Sequence, residues 1–492
     1  MSRPLPARPN LDQLRQQAKD LLKAHGSRDP ESARRIREHL PRLAGLTDEA
    51  VFAAPLTLAE AQLALAREYG LPSWVRLRKH VQMLSQSETL KEAITRNDLA
   101  RVKEMIAANP ALLHAPIGYG GDGPLTWAAE CRGATPPAPE RLAIARFLIE
   151  AGADVHEGGD GPLMRAALHE GRVPMMELLV AHGAEVNARW HGTYPILCAP
   201  CETLAPQSLQ WLLEHGADPN LRGTDPHAGT PLDMVIGTYA RGHARQHECA
   251  NLLIEAGGTS RFDGLPTLEI HRGRLSLLAR WLEEHPALVS HRFPELDYGG
   301  TAHRALNLKG TTLLHVAAEY CETEAARMLI EHGADVNARA LVDENGIGGQ
   351  TSIFHAVTQY DDLGVPVAQI LIERGADLSV RAQVPGRYEQ AGEWLEVTPL
   401  GYAVRFPAGR LACRGAVDLL LDHGAPAGDV YAAARLGCVE ELRALLAAAG
   451  DPNMRNVDGE TALAAATTHG HDDAAALLRA AGVVDETITE RG

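Results

Sequence analysis

One stretch of 28 residues decides the fold: GTTLLHVAAEYCETEAARMLIEHGADVN, Gly310–Asn337. It contains two segments suited to short helices. Thr312 is a good helix cap, and the Ala-Ala that follows keeps the first helix thin. The second segment has apolar residues at helical spacing, so one of its faces can be buried. Gly333 then supplies the positive φ at which helices end. The stretch therefore predicts two short helices packed against each other and a turn leading onward.

Both halves of this stretch recur along the chain. The second-helix phrase returns as FLIEAGADVH (147–156), ELLVAHGAEVN (177–187), WLLEHGADPN (211–220) and ILIERGADLS (370–379). The first three of these place their Gly at 152, 183 and 216, which gives spacings of 31 and 33 residues. A degenerate copy, Arg280–Val289, fills the longest gap in the series, and Ala100–Leu113 is its twin near the start. A period near 33 predicts a stacked array of about eleven helix–turn–helix units.

These phrases resemble the ankyrin repeat, whose T-P-L-H-x-A-A and L-L-x-x-G-A-D-x-N patterns they match in order and spacing. The resemblance covers roughly residues 88–482. It implies an all-α ankyrin-repeat solenoid with β-hairpin-like finger loops between units. Units near 88–118, 265–300 and 427–455 lack the Thr-Pro-Leu-His phrase, and continuity across 258–310 stays open. We expect three parts: a helical module at 1–84, a first array at 85–264 and a second at 265–492.

The first 84 residues carry no repeat phrase and predict a small helical bundle. The predicted helices are 11–24 after the cap Asn10, 30–40, 56–69 and 74–84 after the cap Ser73. Its expected core is Phe52, Leu63, Tyr69, Trp74 and Leu77. The phrase LALAREYGLPSWVRLRKHV resembles a module that precedes ankyrin arrays in bacterial proteins. A cap for the solenoid is the favoured interpretation, and a separate docking module is the alternative.

Composition and charge exclude several classes of protein. The 492 residues carry a net charge of -16, but residues 1–84 hold 14 Lys and Arg against 9 Asp and Glu. The acidic remainder should repel nucleic acid, because phosphate binding needs a basic surface. Only 4% of the residues are aromatic, which suits thin stacked helices better than a large enzyme core. The sequence shows no secretory signal and no membrane-spanning run, so a cytoplasmic location with reduced cysteines is expected.

Chemistry-bearing residues mostly find structural explanations. His182, His215, His332 and His423 share the slot before the Gly, where they can bond the last carbonyls of a helix. Cys198 and Cys201 form a lone CxxC, which we expect to have one packed and one outward-facing thiol. No nucleotide-binding, hydrolase or kinase motif is present, so no cofactor and no metal is expected. If the chain were an enzyme, the candidate groups would be Glu319, His355, Asp361 and Asp362.

A partner-binding surface remains. In the ankyrin resemblance, inner-helix ends and finger loops face a concave groove. The matching residues are Glu130, Cys131, His169, Glu170, Glu202, Glu319, Tyr320, Gln359 and Arg405 for the helix ends, and Trp190, His191, Tyr298, Tyr388 and Trp394 for the fingers.

The leading hypothesis is a non-catalytic intracellular scaffold that binds another protein through this groove. The acidic first half would fit a partner with a basic or mixed face. Two alternatives stay open: an enzyme or small-ligand binder with a site in the inserted loops or between the half-arrays, and an effector delivered to a host cell. Neither nucleic acid nor membrane is an expected partner, and the sequence does not define the oligomeric state.

Overall fold

The computed structural model describes residues 3–6, 9–129, 139–225, 228–238, 243–296, 306, 308–385, 394–405, 414–456 and 459–483. Helices make up 58% of the structure and strands 3%, as the sequence predicts for an all-α chain with short hairpins. The chain divides into two compact units, Met1–Ile196 and Leu197–Gly492. No helix in the described ranges is long and apolar enough to cross a membrane.

The first unit begins with five helices, and their caps explain where they start. The side chains of Asn10, Asp29, Thr47, Thr57 and Ser73 each accept a backbone N–H bond in the first turn of the helix that follows. The predicted caps Asn10 and Ser73 are confirmed. The helices are α1 (Leu11–Gly26), α2 (Pro30–His39), α3 (Asp48–Ala53), α4 (Leu58–Glu68) and α5 (Trp74–Thr95).

These helices enclose two apolar clusters. One centres on Leu21, Ile36 and Val51, and the other on Leu65 and Leu77. Of the predicted core, Tyr69 and Leu77 are buried, while Phe52, Leu63 and Trp74 are partly buried against these clusters.

Helix α5 is longer than predicted: it is expected to end at residue 84, and it continues to Thr95. Its polar middle does not break it, since the hydroxyls of Ser87 and Thr89 donate to the carbonyls of Met83 and Ser85 one turn earlier.

The rest of the first unit consists of paired helices and one hairpin. The elements are α6 (Leu99–Ala108), α7 (Pro124–Ala129), α8 (Pro139–Glu150), α9 (Gly161–Ala167), α10 (Val173–Ala181), β1 (Arg189–Trp190) and β2 (Tyr194–Pro195). The two strands are antiparallel, with Trp190 opposite Tyr194.

The second unit continues the same pattern of an inner and an outer helix. Its helices are α11 (Cys198–Thr203), α12 (Pro206–Glu214), α13 (Pro231–Gly237), α14 (His243–Glu255), α15 (Thr267–His271), α16 (Leu275–Glu284), α17 (Leu313–Glu319), α18 (Thr323–Glu331), α19 (Ser352–Ala356), α20 (Val365–Glu373), α21 (Pro399–Arg405), α22 (Arg414–Asp422), α23 (Val430–Leu436), α24 (Val439–Ala447), α25 (Ala462–Thr468) and α26 (Asp472–Ala480). Strands β3 (Ala382–Pro385) and β4 (Trp394–Val397) form an antiparallel hairpin.

The stretch Gly310–Asn337 shows why these pairs form. His315 and Thr312 complete a reciprocal cap at the start of α17, and the residues of this inner helix from Leu313 to Glu319 are all buried. Helix α17 packs against its own outer helix α18 and against the next inner helix α19. An Ala-rich inner helix allows this close stacking, so each unit buries its apolar face on its neighbours.

Two details predicted from the sequence are confirmed, the first of them for three of the four histidines. His215, His332 and His423 bond through Nδ1 to the carbonyls four residues earlier, at 2.7, 2.8 and 2.9 Å. The two degenerate copies have the same local structure, because α6 and α16 are each followed by a short 3₁₀ turn, Pro110–His114 and Pro286–Val289.

Candidate interaction surface

Finger loops of the first unit bring together polar and aromatic side chains that are far apart in sequence. The loop before α7 and the loop before α9 share the phrase Gly-Gly-Asp-Gly-Pro-Leu, at 120–125 and 158–163. We use the name finger cluster for Tyr119, Asp122, Glu157, Trp190 and His191, which come from three successive loops.

Asp122 is the centre of the finger cluster. Its carboxylate is only 3% exposed. Oδ2 accepts a hydrogen bond from Nε1 of Trp190 at 2.9 Å, and Oδ1 lies 3.5 Å from Nε2 of His191. A buried carboxylate needs such a donor, so Asp122 fixes the orientation of the Trp190 ring, and the His191 ring lies beside the same carboxylate at the tip of the β1–β2 hairpin.

Glycines make room for this carboxylate. A Cβ at Gly158 would lie 2.5 Å from Oδ1 of Asp122, and one at Gly161 would lie 2.5 Å from Oδ2. Gly158 also has φ +64°, a conformation that side chains disfavour. The glycines of the repeated phrase therefore allow neighbouring loops to approach each other closely.

The aromatic rings of the finger cluster form a stacked pair. The rings of Tyr119 and Trp190 are 5.5 Å apart with 28° between their planes, and His191 meets Trp190 edge-on at 4.5 Å. The guanidinium of Arg165 lies 4.4 Å from the Tyr119 ring centre. Arg165 is 7% exposed, whereas Tyr119 is 47% exposed, so a buried cation lies against a ring that is itself partly open to solvent.

The second copy of the phrase repeats the arrangement one unit later. Asp160 is 3% exposed and accepts from Nδ1 of His156 at 3.0 Å. It also accepts the backbone N–H of Glu185 from the next loop. Burial raises the pKa of Asp160. Each phrase thus supplies a buried Asp that accepts a hydrogen bond from a later loop, from Trp190 for Asp122 and from Glu185 for Asp160.

Glu157 adds a second carboxylate beside Asp122. Burial raises the pKa of Glu157, and the nearby charges of Asp122 and Asp154 raise it further. The backbone N–H of Gly123 and the neighbouring His114 act in the opposite direction. The cluster therefore concentrates negative charge at a loop tip.

The structure places the predicted contact residues in three different environments. Trp190 and His191 belong to the finger cluster. His169 is exposed and Glu170 half-buried in the turn after α9, and Glu202 is half-buried on α11. The backbone of Trp394 begins β4. Predictions for Glu130, Cys131, Tyr298 and Tyr388 fall outside the described residues.

The predicted exposure of four inner-helix residues is corrected, because Glu319, Tyr320, Gln359 and Arg405 are each at most 3% exposed. Glu319 accepts from Nδ1 of His355 at 2.9 Å and from Nε2 of Gln359 at 3.3 Å. The hydroxyl of Tyr320 donates to the carbonyl of Ile236. Neighbouring inner helices supply these partners, which makes burial of polar side chains tolerable.

Arg405 is buried for the same reason. Its Nη2 lies 2.7 Å from Oδ1 of Asp429, and its guanidinium is 4.8 Å from the ring centre of Tyr431. Arg405 therefore forms an ion pair inside the second unit instead of an accessible contact.

The groups considered for catalysis do not form an open site. Glu319 and His355 bond each other in the interior. Asp362 accepts the backbone N–H groups of Gly415 and Ala416 at the start of α22. The described residues hold no group of three or more His, Cys, Asp and Glu suited to a metal ion.

The CxxC prediction is partly wrong, since both of its cysteines are buried. Cys198 is 3% and Cys201 0% exposed. Burial raises the pKa of Cys198 to about 12 and also raises that of Cys201, so both thiols are poor nucleophiles. Cys201 cannot face outward because Sγ lies against the carbonyl of Leu197 in the preceding turn, at 3.1 Å.

Sequence reasoning missed Tyr119, Asp122 and Glu157. The duplicated phrase at 120–125 and 158–163 was the available signal. The pairing of Asp122 with Trp190 joins residues 68 positions apart, and no spacing rule reveals it.

Comparison with known families gives two matches. A family model described as "Ankyrin repeats (3 copies)" matches residues 293–382, and one described as "Ankyrin repeat" matches residues 158–191. The second match begins at the repeated glycine phrase and ends in the finger cluster. Among curated proteins, none matches the chain.

Proposed function

The chain carries ankyrin repeats, and we propose that it is a non-catalytic scaffold that binds a partner protein through the finger loops of its first unit. Ankyrin repeats are generally protein–protein interaction modules. The finer architecture belongs to this proposal: about eleven units, arrays at 85–264 and 265–492, a helical cap at 1–84 and a cytoplasmic location.

The observation that carries the proposal is the anchoring of Trp190 beside His191. The Trp190 ring donates to the buried carboxylate of Asp122, the His191 ring meets Trp190 edge-on, and both rings remain partly exposed at a loop tip. A side chain fixed before binding loses little conformational entropy when a partner arrives. Aromatic residues held in this way are typical of the energetically dominant positions of protein interfaces.

Two helix-end residues of the first unit extend this surface as a proposal. His169 and Glu170 lie in the same unit as the finger cluster, in the turn after the inner helix α9. Glu202, on α11 of the second unit, stays a separate proposed contact. The buried residues Glu319, Tyr320, Gln359 and Arg405 are left out of the proposed contact set.

We do not propose catalysis. The Glu319–His355 pair is the closest arrangement to an acid–base pair among the candidate groups, and its two residues are 3% and 2% exposed. A substrate would have no access to it in this structure.

Affinity purification with quantitative mass spectrometry tests the proposal. The tagged full chain is compared in its native cell with the variant Trp190→Ala/His191→Ala and with the control Glu150→Gln, which alters an exposed residue of the outer helix α8. We expect a partner that the control retains and the double variant loses. Circular dichroism checks that both variants are folded. Recovery of chaperones alone, or equal recovery of every partner by the double variant, would overturn the proposal.

A further inference from the structure

The finger cluster carries negative charge that lacks a matching cation. In the described part of the chain, no Lys or Arg forms an ion pair with Asp122, Asp154 or Glu157; His191 lies beside Asp122, and the charge of His114 acts on Glu157. Some other carboxylates of the same unit, such as Glu31 and Glu104, do pair with arginines. The described residues therefore supply no Lys or Arg ion pair to the carboxylates of these loop tips.

The aromatic pair next to these carboxylates already accommodates a cation. Arg165 places its guanidinium 4.4 Å from the centre of the Tyr119 ring. Tyr119 nevertheless remains 47% exposed. Because the face of an aromatic ring attracts cations, this pair suits a second, external one.

The surrounding loops leave space for an approaching chain. A side chain at Gly121 would meet nothing within 4 Å. Asp122 in turn holds the Trp190 ring in place through Nε1, so the aromatic pair need not rearrange on binding. A rigid aromatic surface beside carboxylates favours a side chain with a long apolar stem and a positive head.

We propose that the finger cluster binds a lysine or arginine side chain presented by a basic segment of the partner protein. The stem packs along the Tyr119–Trp190 pair, and the ammonium or guanidinium group bonds the carboxylate of Glu157. This inference rests on the proposed function and specifies the chemistry of the partner.

The observations favour a protein cation over other positively charged ligands. The described residues contain no group of His, Cys, Asp and Glu that could hold a metal ion. A metal ion also lacks the apolar stem with which a lysine or arginine side chain can pack along the aromatic pair.

Fluorescence anisotropy with the full chain tests the inference. The probe is a fluorescein-labelled peptide Gly-Gly-Arg-Arg-Gly-Gly, and its twin carries citrulline for arginine, which keeps the shape and removes the charge. We expect wild type to bind the arginine peptide at least about tenfold more tightly than the twin, because two charged contacts are lost. Glu157→Gln and Tyr119→Leu should each weaken binding by about threefold to fivefold. Glu150→Gln, with the same charge change on α8, should leave affinity unchanged.

Equal affinity for the citrulline twin would overturn the inference. So would equal weakening by Glu157→Gln and Glu150→Gln, because binding would then report only net charge. The titration needs no natural partner, so it fails independently of the purification experiment. Peptide binding without a cellular partner would refute the scaffold proposal alone, and a partner retained by Glu157→Gln would refute the cation site alone.

Discussion

Gly158→Ala should loosen the finger cluster far more than Gly192→Ala. Both glycines have a left-handed backbone, with φ +64° and +73°. The new Cβ at position 158 would lie 2.5 Å from Oδ1 of Asp122, whereas one at position 192 would meet nothing within 4 Å. The two substitutions therefore share a backbone penalty and differ in one steric contact.

The magnitude follows from what the contact displaces. A left-handed alanine costs about 1–2 kcal/mol at either position. At position 158 the carboxylate of Asp122 must also move, which breaks its bond with Nε1 of Trp190. A hydrogen bond to a charged group contributes about 1.5–3 kcal/mol. The extra penalty of Gly158→Ala over Gly192→Ala should therefore be about 1.5–3 kcal/mol.

Native-state hydrogen exchange read by mass spectrometry measures this difference locally. Peptides covering 186–197 should exchange about tenfold to a hundredfold faster in Gly158→Ala than in Gly192→Ala. Asp122→Ala removes the carboxylate that the new Cβ at position 158 would meet. Adding Gly158→Ala to the Asp122→Ala variant should therefore have only the backbone effect. Equal exchange in the two single variants would refute the packing argument.

Three further predictions concern buried charge. Burial raises the pKa of Glu157 above 4.5, so the folded state favours the protonated carboxyl and stability falls as pH rises from 4.5 through the raised pKa. In urea titrations, Glu157→Gln should be more stable than wild type at pH 7 and equal to wild type at pH 4. The control Glu150→Gln should not show this difference. Burial lowers the pKa of His315 to about 3, so the folded state favours the neutral ring, and the stability of the fold falls as pH drops from 6.5 toward 3. His315→Gln removes the titrating ring, and acid sensitivity equal to that of wild type would contradict this prediction. Arg405→Ala leaves Asp429 buried without its ion-pair partner and should lower the free energy of unfolding of the second unit by about 3–5 kcal/mol. A loss below about 1 kcal/mol in urea unfolding would contradict a stabilising role of this ion pair.

Much of the fold could be predicted because each repeat is encoded by interactions between residues close together in sequence. Caps such as Asn10 and Ser73 start helices through bonds to residues two or three positions away, and the histidines at helix ends bond carbonyls four positions back. Such interactions depend on short spacing, which a sequence displays directly. The end of α5 was misjudged because hydroxyl residues can break a helix or bond back into it, and only the structure shows the second outcome.

The site was less predictable because exposure depends on neighbours. Glu319 has the residue type of a surface position, yet it is buried because His355 from the next inner helix supplies a hydrogen bond to its carboxylate. Trp190 was singled out correctly as a finger-loop aromatic, but the carboxylate that holds it lies 68 positions earlier. The sequence therefore indicated which loops present side chains, and three-dimensional packing decided which of those side chains remain accessible.

Photo-crosslinking in the native cell tests the central claim most directly. The photoreactive amino acid benzoylphenylalanine replaces Tyr119 in the finger cluster or, as a control, the exposed Arg146 on the outer helix α8. If the finger cluster is the partner interface, irradiation should give a discrete adduct with one protein at position 119 and none at position 146. The absence of an adduct at position 119, or the same adducts at both positions, would contradict the account.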